Sequence, residues 1–152
     1  MASGVVESSL AEVSALLLGV HSGKVSGQEL PLVMEGVAAS IEIQGGPREF
    51  VVLADDNSSA TRLCFIEVDR ANHSIAIYGG WWFRGEYTIK PHSKGSLLTF
   101  NLYNAATGVS GAIAGLLHGR ELRAAKLTLE QMLQRLGERL GCAAYVTEEE
   151  SI

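Results

Sequence analysis

The chain reads as an α+β domain in which a curved antiparallel sheet wraps around a long C-terminal helix. Three observations predict it. Apolar residues recur at every second position through the middle of the chain, interrupted by short polar turns. A capped helix start precedes that region. From Arg120 onward, Leu122, Ala125, Leu129, Met132, Leu133, Leu136 and Leu140 return at spacings of three and four, which sets them on one helix face. A sheet with one apolar face and a helix with one apolar stripe bury both by packing together.

At 152 residues the chain is long enough for one domain, burying about two-thirds of its unfolded surface. That domain is expected over residues 1–147, with 148–152 as an acidic tail. Twelve basic residues against 17 acidic ones give a net charge of −5 and no basic stripe of the kind a nucleic-acid binder needs. Two cysteines make no disulfide framework. Cys64 in a strand-like run and Cys142 at a helix end read as inert thiols in a reducing cytosol. No basic residue precedes the first apolar run, and Leu16–Leu18 is too short for a signal peptide or a membrane span. The expected setting is cytoplasmic.

In chain order, Val5 and Val6 begin a short edge strand. Ser9-Leu-Ala-Glu12 is a capping box: hydroxyl and carboxylate satisfy the free amides at a helix start. Leu10, Val13, Leu16 and Leu17 continue that helix as one stripe towards Gly19. A second, weaker box, Ser26-Gly-Gln-Glu29, opens a single turn, and Pro31 directs the chain into the next strand. From about Val33 the period is two, with Val37, Ala39, Ile41 and Ile43 on one side. Gly45-Gly46-Pro47 turns into a strand over Glu49–Ala54, and Asp55–Ser59 into another over Thr61–Val68. Asp69-Arg-Ala-Asn72 leads to Ser74–Tyr78. Gly79 and Gly80 precede a strand over Trp81–Lys90, and the turn Pro91–Gly95 leads to Ser96–Asn104. Short polar turns between such runs make an antiparallel meander.

The last helix is expected over Gly108–Gly141, with Gly141 as its stop. Arg123, Lys126, Glu130, Gln134, Arg135 and Glu138 take its solvated face. Upstream its character changes. At 100° per residue, the face of Leu122, Leu129 and Leu136 is continued by Gly111, Ala114, Gly115 and His118, while Val109, Ile113 and Leu116 point nearly the opposite way. Two readings follow. An unbroken helix leaves space beneath its upstream half, where a ligand fits. A helix broken at Gly119 reorients that half and packs its apolar residues instead.

The order of elements resembles the START-like (SRPBCC) superfamily, which includes polyketide cyclases and lipid carriers. Three stretches carry the resemblance. Val5-Val-Glu-Ser-Ser-Leu-Ala-Glu-Val13 is similar to that family's first strand and capped helix. Trp82-Phe-Arg-Gly-Glu-Tyr-Thr-Ile-Lys-Pro91, with Gly95-Ser-Leu-Leu-Thr-Phe100, looks like its late hairpin, and the C-terminal helix is the third. Ser14 stands where such proteins often carry a large aromatic. The resemblance implies a helix-grip fold and a cavity for a hydrophobic small molecule.

Signals for other chemistry are lacking. His21, His73, His92 and His118 are scattered, with no helical i, i+4 pair and no Cys-x-x-Cys, so neither a metal nor a cofactor is expected. Gly19-Val-His-Ser-Gly-Lys24 is one residue short of a phosphate loop and reads as a turn. No Gly-x-Ser-x-Gly elbow appears. On the strand after Gly80, Trp81, Phe83, Tyr87 and Ile89 share one face. Arg84, Glu86 and Lys90 share the other and stay in water. Leu98, Phe100 and Leu102 form the matching face of the next strand. These aromatics are either plain core or a pocket wall in which the Tyr87 hydroxyl and His118 are the polar groups.

The leading expectation is a binding module for a hydrophobic ligand (lipid, isoprenoid or polyketide-like aromatic). Its site is expected at Trp81, Phe83, Tyr87, Phe100, Gly111, Ala114, Gly115 and His118. One rival is a cyclase, aromatase or dehydratase on the same fold, with His118 or Tyr87 moving protons. The other is a homodimer or partner surface built on Val109, Ile113 and Leu116.

Overall fold

A computed structural model describes residues 1–35, 40–54, 62–79, 83–103 and 111–147, with the side chains of residues 83 and 111–122 outside that description. In chain order the elements are β1 (Ala2–Val6), α1 (Leu10–Leu17), β2 (Gly23–Ser26), β3 (Ser40–Gly45), β4 (Glu49–Ala54), β5 (Arg62–Asp69), β6 (Ser74–Gly79), β7 (Phe83–His92), β8 (Gly95–Tyr103), α2 (Gly111–Leu140) and β9 (Ala144–Thr147). Two single-turn 3-10 segments, Gly27–Glu29 and Leu32–Met34, lie between β2 and β3.

The nine strands among the described residues join one open sheet in the order β2-β3-β4-β5-β6-β7-β8-β1-β9, antiparallel at every pairing. Directly opposed residues in such a ladder project to the same side. Val68, Ile75, Tyr87, Phe100 and Ala2 therefore stand in one row across five strands, and all five are buried. The next row on the other face holds Glu49, Glu67, Ala76, Glu86 and Asn101. Its like charges are offset by Arg48 at 3.3 Å from Glu67 and by Arg84 at 3.6 Å from both Glu67 and Glu86. One face is thus dry and the other ionic. Arg84 and Glu86 stay on the wet side and Tyr87 and Ile89 on the dry side, as alternation requires.

Both helices lie on the dry face. α1 packs against β7 and β8, and α2 against β1, β8 and β9. α1 starts as its cap requires, with the Glu12 amide donating to Ser9 Oγ at 3.2 Å. The Glu12 carboxylate accepts from the Ser8 hydroxyl rather than from the Ser9 amide, so the box is half made. On α2, Ala125, Leu129, Met132, Leu133 and Leu136 form the buried stripe. Gly4 of β1 lets that stripe come close: a Cβ there would lie 2.5 Å from Leu133 Cδ1 and 2.9 Å from the Tyr145 carbonyl.

The expected fold class needs correcting. β2 to β8 do follow one another as a meander, but the sheet is not wrapped around the last helix; among the described residues it is an open sheet of nine strands, with α1 and α2 packed on different strands of it. Three strands change the picture. β1 sits inside the sheet, between β8 and β9, and is not an edge. β9 follows α2, where no strand was expected. β2 occupies residues expected to turn, and forms the far edge. α2, about 45 Å long at 1.5 Å per residue, therefore covers one end of a wide sheet, while α1 and the 3-10 segments cover more of the rest. Leu32–Met34 is helical, so the strand expected from about Val33 begins at Ser40, with residues 36–39 outside the described residues.

Candidate functional site

Tyr87 stands midway along β7, and its row partner on β8 is Phe100. Their ring centroids are 4.6 Å apart at a 37° tilt, within the range of favourable aromatic pairs. Both side chains are buried. Burial pushes the Tyr87 phenol well above its ordinary pKa, opposed by the charge of Arg135. The phenol is therefore neutral at any physiological pH. It is a hydrogen-bonding group held within an apolar row.

Arg135 was expected to be solvated, but α2 turns it inward along its flank. Its Nε lies 3.3 Å from Glu35 Oε2, while Arg139 Nη2 lies 2.6 Å from Glu35 Oε1. Arg139 Nη1 also donates to the Gln28 carbonyl at 3.4 Å. Two guanidinium groups thus clamp one carboxylate and tie the C-terminal half of α2 to the segment between β2 and β3.

α2 is a single helix from Gly111 to Leu140, running through Gly119 without a break. Of the two readings of this region, the unbroken helix is the one observed. Helical phase then carries the buried stripe upstream to Gly111, Ala114, Gly115 and His118, all within about 60° of Leu129.

The expected site residues divide as follows. Tyr87 and Phe100 come together in the core. Phe83 opens β7 opposite Gly79, its side chain outside the described residues. Gly111, Ala114, Gly115 and His118 belong to α2, again without described side chains. Trp81 lies outside the described residues, as does Val109 of the opposed apolar stripe. Among the described residues no three His, Cys, Asp or Glu side chains converge as a metal would require. No helix among them is long and apolar enough to cross a membrane.

One concavity was not anticipated. A cleft of about 430 Å³ opens between α1 and the turn from β5 to β6. Ala11, Ala15 and Leu18 form its apolar side, and Ser14, His21, Arg70 and His73 its polar one. Ser14 Oγ lies 3.2 Å from His73 Nδ1. Arg70 Nη1 donates to the Pro47 carbonyl at 2.9 Å and Nη2 to the Leu18 carbonyl at 3.4 Å. The turn is tied by Asp69, which accepts from the Asn72 amide at 3.3 Å and from Asn72 Nδ2 at 2.8 Å. These bonds, with Arg48 nearby, lower the Asp69 pKa. His73 has φ +49°, the one positive value at a non-glycine position among the described residues. The sequence signal was Ser14 itself, small where the resemblance led one to expect an aromatic, between two alanines one helical turn apart in effect.

No protein-family profile matches the chain, and no curated protein does.

Proposed function

We propose that the chain binds a hydrophobic small molecule of the lipid, isoprenoid or polyketide-like aromatic class. Its place is between the β7–β8 face and the N-terminal half of α2. The observation that carries this reading is the continuity of α2 through Gly119. A stripe that packs as leucine and methionine downstream is continued by glycine, alanine and histidine upstream. Side chains of that size leave room for a guest where leucine would leave none. The neutral, buried Tyr87 phenol supplies one polar group for such a guest. Kinship with START-like carriers and a cytoplasmic setting are part of the proposal. The kinship rests on the three sequence stretches and not on the sheet, which differs from the fold it implied.

Native mass spectrometry of the chain, purified without detergent, tests this directly. A bound apolar mass, or one acquired from a panel of fatty acids, isoprenoids and polycyclic aromatics, is the expected result. No adduct and no thermal stabilisation across that panel would overturn it.

A second reading, association through the opposite face of α2, is favoured by one residue. Leu127 is 57% exposed and falls within about 40° of Ile113 and Leu116 by helical phase. If that stripe joins two copies, Leu127→Asp and Ile113→Asp will each shift the sizing-column peak to half the mass.

A further inference from the structure

We propose that the cleft between α1 and the β5–β6 turn is an anion site. It would take a small molecule with a terminal oxyanion, carboxylate or phosphate monoester, on a short apolar body. This site is separate from the proposed hydrophobic one and does not depend on it.

The lining argues for the charge. Four side chains there can donate hydrogen bonds, Ser14, His21, Arg70 and His73, and no carboxylate is among the lining residues, although the chain as a whole carries −5. Of the two acids next to lining residues in sequence, Asp69 is occupied by Asn72 and Glu12 accepts from the Ser8 hydroxyl. Arg70 is fixed by two carbonyls through two of its N–H groups; a guanidinium has five, so three are left to meet a ligand. The apolar side, Ala11, Ala15 and Leu18, makes room for the body of the molecule. At about 430 Å³, the space falls within the range of small-ligand pockets.

The backbone argues that the histidine has a purpose. His73 closes the turn with φ +49°, a left-handed conformation that glycine enters without strain and that histidine, like asparagine and aspartate, enters more readily than most residues. Its amide donates to the Arg70 carbonyl at 3.4 Å, and its carbonyl accepts from the Ile89 amide at 2.9 Å. Glycine would make both bonds without strain. What histidine adds is an imidazole held against Ser14 across the cleft. Where glycine would be free of strain, the turn instead carries an imidazole that lines the cleft beside Ser14.

His73→Gly separates that role from folding. Calorimetric titration of the whole chain would use inorganic phosphate, phenyl phosphate and benzoate, with benzyl alcohol as the neutral control. The wild type is expected to bind at least one anion and not the alcohol. Phenyl phosphate binding alone assigns a phosphate monoester, and benzoate alone a carboxylate. His73→Gly should lose at least fivefold in affinity while its melting temperature holds or rises, and Ser14→Ala should weaken binding less. Should no anion bind, or should His73→Gly bind as the wild type does, the proposal fails. Should His73→Gly instead unfold the chain, the histidine is structural and the argument from the turn falls with it.

Discussion

Replacing Gly4 with alanine should loosen the seat of α2 on the sheet, and the structure sets the size of the effect. The new methyl would stand 2.5 Å from Leu133 Cδ1 and 2.9 Å from the Tyr145 carbonyl oxygen, against a carbon–carbon optimum of about 3.5–4.0 Å. Leu133 is 2% exposed and has little room to retreat. The carbonyl belongs to β9, which pairs with β1 at Gly4 itself and cannot turn away. Overpacking of this kind costs about 1–3 kcal/mol. Removing a strand glycine returns about 0.5–1 kcal/mol through the unfolded chain. At the middle of both ranges the net is a loss of about 1.2 kcal/mol, or roughly 2–5 °C in melting temperature for a chain of this length. Urea and thermal melts followed by circular dichroism would measure it. Leu133→Ala, at about 2–5 kcal/mol on its own, removes the obstructing carbons, so the double variant should be more stable than the sum of the singles implies. A neutral Gly4→Ala, or strict additivity with Leu133→Ala, would refute the claim that close packing of α2 on β1 requires glycine.

Other outcomes follow from the same coordinates. Cys64 is buried, its thiol donates to Met34 Sδ at 3.6 Å, and desolvation raises its pKa to about 11. Iodoacetamide at mildly alkaline pH should label Cys142 first and Cys64 only in denaturant; equal rates on the native chain would contradict that burial. Because the folded thiol has the higher pKa, its contribution to stability is complete below the ordinary thiol value of 9.0 and fades as pH rises towards about 11. The Cys64→Ser variant should lack that alkaline component. Glu35→Gln should release Arg135 and Arg139 together. With all three side chains part-exposed, the loss is about 1 kcal/mol and should shrink in high salt; an effect indifferent to salt would mean the clamp is not electrostatic.

The elements legible in the sequence were those with a long enough period. β5 to β8 are eight, six, ten and nine residues, so alternation identified their existence and, for β7 and β8, the dry face that carries Tyr87 and Phe100. The C-terminal stripe of α2 was equally plain. What escaped were elements whose identity depends on neighbours. β9 and β2 have four residues each, too few for a period to register. β1 is buried along its whole length because it lies between two strands and under α2, and Ser3 and Gly4 disguise that. With β2 and β9 unread and β1 read as an edge, the sheet looked narrow enough to wrap a helix. Arg135 was misplaced for a related reason: helical phase set it on the flank, but only Glu35 on a distant segment draws it inward. The cleft was hidden because its polar residues come from positions 14, 21, 70 and 73, united only when α1 docks beside the β5–β6 turn.

The claim that α2 leaves a hollow over Tyr87 and Phe100 is tested most directly by filling it. Titrating wild type and Gly115→Leu with N-phenyl-1-naphthylamine, a neutral apolar fluorophore, compares the two states of that space. The account predicts saturable fluorescence enhancement in the wild type and its loss in Gly115→Leu, with the far-ultraviolet spectrum and melting temperature retained. Equal enhancement in both proteins would contradict it, as would a folded wild type that does not enhance the dye at all.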